Sequence, residues 1–142
     1  MELIPYLMFN GNCAEALEFY KDSLGGSIEG LSTFGEAPMP CEEADKNKVM
    51  HATFKFHNGM LMASDSMGSR APVPGSNVHL SLNLHDNNDM EQKFNKLADG
   101  GQVTMPLQDT FWGARFGMLI DKFGIYWMFN CEQVNEGDVT PV

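Results

Sequence analysis

One strand, one helix and three further strands follow each other twice along this 142-residue chain. The markers of the repeat are Phe19, Gly25 and Gly26, which recur 75 residues later as Phe94, Gly100 and Gly101. A repeat of this size limits the chain to two copies of one small unit. Each unit alone leaves one face of a curved sheet uncovered. Two side by side enclose a cleft, and a concave sheet interior is a natural ligand site. Strand-helix-strand-strand-strand, twice, is an α+β order and not that of a doubly wound sheet.

In the first half, Leu3 to Asn10 reads as a strand, and Pro5 points to an edge position or a strand start because proline cannot donate to a ladder. Asn12 is the expected helix N-cap, with Glu15 completing a capping box. Cys13, Ala16, Leu17, Tyr20 and Leu24 then fall on one helical face. Gly25-Gly26 ends that helix, and Ser27 to Phe34 is a strand. Glu36 to Lys48, with two prolines and four acidic residues, is a loop and a candidate flap over a cavity. Val49 to His57 alternates, Asn58-Gly59 signals a hairpin, and Met60 to Asp65 returns. Met67 to Ser76 is a linker.

In the second half, Val78 to Leu84 is a strand and Asp89 to Asp99 a helix carrying Met90, Phe94, Leu97 and Ala98 on one side. Gln102 to Met105 is a short strand, and Asp109 to Cys131 a long hairpin turning at Lys122-Phe123-Gly124. The modules therefore span 1–66 and 77–131, with a linker at 67–76 and a polar tail at 132–142. Gly113 and Gly117 share a face with Arg115, and such glycines leave room for something to approach the backbone. Arg115, beside Phe111 and Trp112, either reaches toward an anion or pairs with a surface carboxylate.

A formal charge of −10 argues against nucleic acid and anionic membrane surfaces as partners. No apolar run approaches a bilayer span, and no basic segment with an apolar core marks a secretion signal. Cys13, Cys41 and Cys131 are unevenly spaced, which fits reduced thiols in a cytoplasm. Eleven methionines serve as core filler or line an adaptable apolar pocket. No glycine-rich turn follows a strand and opens a helix, so nothing cradles a dinucleotide, triphosphate or methyl-donor cofactor, and no cofactor is expected.

The runs Tyr6-Leu-Met-Phe-Asn-Gly-Asn12, Ala16-Leu-Glu-Phe-Tyr20, Gly25-Gly26, Val49-Met-His51 and Met62-Ala-Ser-Asp65 form one set of signatures. Asp109-Thr-Phe-Trp-Gly-Ala-Arg-Phe-Gly117 and Asp121-Lys-Phe-Gly-Ile-Tyr-Trp127 complete it. In these the chain resembles the vicinal oxygen chelate superfamily of glyoxalase I, bleomycin-resistance proteins and extradiol dioxygenases. Within it, the chain is most similar to the PhnB-like branch labelled after 3-demethylubiquinone methyltransferase. The resemblance implies two βαβββ modules forming a U-shaped mixed sheet around a cavity, and a homodimer whose modules pair within one chain or across two. A shared fold does not transfer an activity.

Metal-binding members of that superfamily use four His, Gln or Glu ligands. Their positions fall here at Pro5, near Ala63 or Ser64, at His79 and at Met128. Only His79 is a good ligand, and divalent metals want three or more donors, so no metal is expected. His79 is then a hydrogen-bonded structural residue, or a group that polarises a substrate oxygen. His51 faces solvent or touches a ligand, and Asp65 is expected to cap a turn. These residues give a protein that binds a small apolar or aromatic molecule through His79, Trp112, Arg115, Tyr126 and Met128. The alternatives are a metal-dependent lyase, isomerase or dioxygenase-like enzyme using shifted ligands such as His79 and Asp65, and a structural dimer whose pocket is filled by its own side chains.

Overall fold

A computed structural model describes residues 1–68 and 70–133. The chain divides into two compact units, Met1–Val73 and Pro74–Val142. In the first, β1 (Tyr6–Phe9), α1 (Cys13–Leu24), β2 (Ser27–Thr33), β3 (Val49–Phe56) and β4 (Gly59–Asp65) form a sheet of order β1-β4-β3-β2. The second repeats this with β5 (Leu80–Leu84), α2 (Asn87–Ala98), β6 (Gln102–Asp109), β7 (Ala114–Ile120) and β8 (Tyr126–Glu132), in order β5-β8-β7-β6. Both sheets are mixed: β1 runs parallel to β4 and β5 to β8, while the remaining pairs are antiparallel. This is the α+β architecture of two βαβββ modules.

Each helix covers one face of its own sheet. The stripe Cys13, Ala16, Leu17, Tyr20 and Leu24 is buried, and Tyr20 meets Phe54 edge-on at 6.5 Å. In the second unit Met90, Phe94 and Leu97 are buried, with Phe94 edge-on to Phe129 at 5.2 Å. The buried rings Tyr20 and Phe94 correspond, whereas Phe19 is only half-buried. The helices therefore repeat at 74 residues and the glycines after them at 75. The extra residue is Asp99, the C-cap of α2, which precedes Gly100, whereas Gly25 itself caps α1. Gly26 and Gly101 remain equivalent. A Cβ on Gly26 would run into the Lys55 carbonyl, and one on Gly101 into the Ile120 carbonyl.

Several local expectations shift. Asn12 makes no side-chain cap to α1, so the capping box with Glu15 does not form. Instead Asp65, at the end of β4, accepts the Gly11 and Cys13 amides at 2.9 Å each through Oδ1, and the Val49 amide at 2.8 Å through Oδ2. Three donors converge on one buried carboxylate, which outbids a local cap. α2 starts earlier than expected because Asp86 accepts the Asp89 amide at 2.9 Å. The β3–β4 turn centres on His57-Asn58, where His57 takes a φ of +42°, one residue before the expected Asn58-Gly59. β6 runs on to Asp109 rather than stopping at Met105.

The segment from 34 to 48, which contains the 36–48 loop, holds two short 3-10 turns, Phe34–Glu36 and Glu43–Asp45, and is closed on itself by Phe34 N–H to Lys48 O at 3.0 Å and Gly35 N–H to Lys46 O at 2.9 Å. Lys48 lies 2.8 Å from Asp45 and, with a backbone hydrogen bond from Gly68, holds that buried carboxyl below its ordinary value. Ser69 of the linker and residues 134–142 of the tail lie outside the described residues; Glu132 belongs to β8.

Candidate functional site

Strand register decides which side chains share a face. In the second sheet Leu119 pairs with Trp127, Gly117 with Phe129 and Arg115 with Cys131. Phe129 packs on Phe94 of α2, so this set faces the helix. The alternate set, Phe116, Met118 and Ile120 on β7 with Tyr126, Met128 and Asn130 on β8, occupies the opposite, helix-free face. All six are half-buried.

His79 joins this face from the residue before β5. Its ring centroid lies 5.0 Å from that of Tyr126 at an interplanar angle of 54°. Nε2 is 3.0 Å from the Ser76 carbonyl oxygen, while Nδ1 is buried and has no hydrogen-bond partner. Ser81, paired with Met128, continues the same face along β5. Trp112 reaches it from the β6–β7 turn, with its ring 6.1 Å from Phe116 and 5.0 Å from Phe111. Trp112 is 57% exposed and Phe111 97%.

Of the five residues singled out in the sequence, the structure thus gathers His79, Tyr126 and Met128 on one face, with Trp112 at its margin. Arg115 lies on the other face. Its neighbour Gly117 explains why: a Cβ there would come within 2.8 Å of Leu107 Cδ2 and 3.0 Å of Phe94 Cε2. The space at Gly117 is filled by α2 and β6, and alternation carries Arg115 to the same side. There its charge acts on Cys131, and its Nε is buried without a partner. Gly113 serves the turn itself, with a φ of +83°. Sequence reasoning passed over Phe116 and Met118; their alternation with Gly117 was the available signal.

The residues at the superfamily's metal positions do not fit a metal. Pro5 and Met128 offer no charged or imidazole donor, and Ser64 Oγ lies 3.4 Å from Met8 Sδ. Asp65, the candidate shifted ligand, is 3% exposed, and both its oxygens accept backbone amides. Among the described residues no three His, Cys, Asp or Glu side chains gather as a cation site. In the first unit His51 Nδ1 sits 3.3 Å from the Tyr6 hydroxyl. A shallow open depression there is bordered by Pro40, Cys41, Glu42, Glu43, Asp45 and Met67, well away in sequence from the aromatic face. No helix among the described residues is long and apolar enough to cross a membrane.

Comparison with known proteins agrees with this architecture. A protein from Pseudomonas aeruginosa, PA1353, has a crystal structure 43% identical in sequence with a TM-score of 0.86, matched over 94% of this chain and 99% of that one. A Bacillus cereus structure described as a putative 3-demethylubiquinone-9 3-methyltransferase, PhnB protein, is 27% identical with a TM-score of 0.74, over 92% and 99%. A glyoxylase/bleomycin resistance protein/dioxygenase domain from Frankia sp. EAN1pec shares the fold at 15% identity and a TM-score of 0.65, over 94% and 98%. The model of the family described as 3-demethylubiquinone-9 3-methyltransferase matches residues 1–130. The chain therefore belongs to this PhnB-like family, described as 3-demethylubiquinone-9 3-methyltransferase, and shares the fold of the glyoxylase/bleomycin resistance protein/dioxygenase domain.

Proposed function

We propose that this protein binds a small apolar or aromatic molecule without a catalytic metal, on the helix-free face of its second sheet, as a homodimer in the cytoplasm. The observation that carries the reading is the row Phe116, Met118, Tyr126 and Met128, half-buried on one face, with the His79 ring against Tyr126. Aromatic and thioether side chains give adaptable apolar contacts, and the imidazole adds one directional polar group. A two-ring ligand desolvating roughly 200–250 Å2 there gains about 5–6 kcal/mol before the cost of association is subtracted. That limits an unoptimised probe to weak binding, about 0.1 mM or weaker. The metal-dependent alternative would need Asp65, whose carboxylate is already engaged by three amides.

The test is titration with N-phenyl-1-naphthylamine, an uncharged probe whose emission rises in apolar surroundings. Met128→Glu sets a carboxylate in the middle of the face and should weaken binding about tenfold or more, since burying an unpaired charge is costly. Val73→Glu, at a 91% exposed position in the connecting segment, should leave it unchanged. Equal binding by the Met128→Glu variant sinks this location. Failure of the unaltered protein to bind any uncharged aromatic favours the alternative of a structural dimer filled by its own side chains.

A further inference from the structure

We infer that Tyr6 and His51 form a second binding site, on the helix-free face of the first sheet, for a small neutral molecule carrying a carboxamide-type group. Tyr6 on β1 pairs with Met62 on β4, and Met62 with Thr53 on β3. Phe54, next to Thr53, packs against Tyr20 of α1, so Tyr6, Met62, Thr53 and His51 share the opposite side. β4 lies between β1 and β3, and Tyr6 reaches over it. Its hydroxyl is 3.3 Å from His51 Nδ1, with the ring centroids 5.9 Å apart. Tyr6 is 46% exposed and His51 half-buried, so the contact meets solvent and a ligand can approach it. One proton is shared along it. If the phenol donates to Nδ1, Nε2–H is left as a donor and the phenol oxygen as an acceptor. If Nδ1–H donates, the phenol O–H and the bare Nε2 take those parts. Either way the neutral pair offers one donor and one acceptor, the complement of an amide N–H beside its C=O. The −10 charge counts against an anion in that place. The free face of the second sheet carries Phe116, Met118, Tyr126 and Met128 instead, so the two faces select different chemistry.

Benzamide is the probe, and methyl benzoate, which keeps the carbonyl and lacks the N–H, is its control. Titrations followed by the ring NMR signals of Tyr6 and His51 locate the binding as well as measure it. The unaltered protein should bind benzamide at these rings about tenfold more tightly than the ester, the factor one net hydrogen bond supplies. Tyr6→Phe removes one oxygen from an exposed ring and should weaken benzamide about tenfold while the melting temperature stays nearly the same. His51→Leu, read through the Tyr6 signals, should weaken it at least as much. Equal affinities for amide and ester overturn the donor–acceptor match. Ring signals that stay in place when benzamide is added, or a Tyr6→Phe protein that binds it as tightly as before, overturn the site. None of these outcomes bears on the apolar face of the second sheet, which its own probe tests.

Discussion

At the scale of single residues, burial separates the three cysteines. Cys13 is fully buried, and burial together with the Asp65 carboxylate pushes its thiol up to about 12. Cys131 is also raised, by burial first and then by Asp86. Cys41 sits half-buried in the loop of the first unit. Because thiolate is the reactive form, a disulfide reagent at pH 8 should label Cys41 and spare the other two until the protein is unfolded; rapid labelling of two or three thiols would contradict this. The raised Cys13 value has a sign: the unfolded thiol ionises from about 9 while the folded one stays neutral. Its contribution to stability is present below about pH 9 and is lost as pH rises toward 12. Melting followed from pH 8 to 11 should show this decline, flattened in Cys13→Ala. The same scale shows what the sequence conceals. Alternation put Tyr126 with Met128, and Arg115 with Gly117, but could not relate the two sets across a turn. Register does that, and it places Arg115 behind the sheet.

Elements are tied together by contacts too distant in sequence to read from local pattern. The helices were legible because their apolar stripes repeat at helical spacing, and the β3 alternation was equally plain. The start of α1 at Asn12 was legible too, but its capping acceptor was not, because that acceptor is Asp65, more than fifty residues away along the chain. One carboxylate there joins the β1–α1 turn, the helix and the first residue of β3. Asp65→Ala leaves three amides without an acceptor and should cost about 3–5 kcal/mol in urea unfolding. Asp65→Asn, which can keep the Oδ1 pair but opposes an NH2 to the Val49 amide, should cost about half as much. Equal stability of all three proteins would refute the shared-cap role.

For the whole molecule, the −10 charge bears on self-association. If the chain pairs with itself as proposed, two like-charged copies repel at long range, and salt screens that repulsion. Sedimentation equilibrium should give twice the 15.8 kDa chain mass, with tighter pairing at 0.5 M than at 0.05 M salt; a single chain mass throughout would rule the dimer out. The duplication itself was visible in the sequence as Phe and Gly-Gly markers. The one-residue slip at Asp99 was not, since Phe19 and Phe94 match in letter while Tyr20 and Phe94 match in burial. Each ladder described above pairs strands of one half only, and the first is complete at Asp65. The leading half thus carries every strand of its own sheet before Leu80 is reached along the chain, so its ladders close without borrowing a strand from the second half.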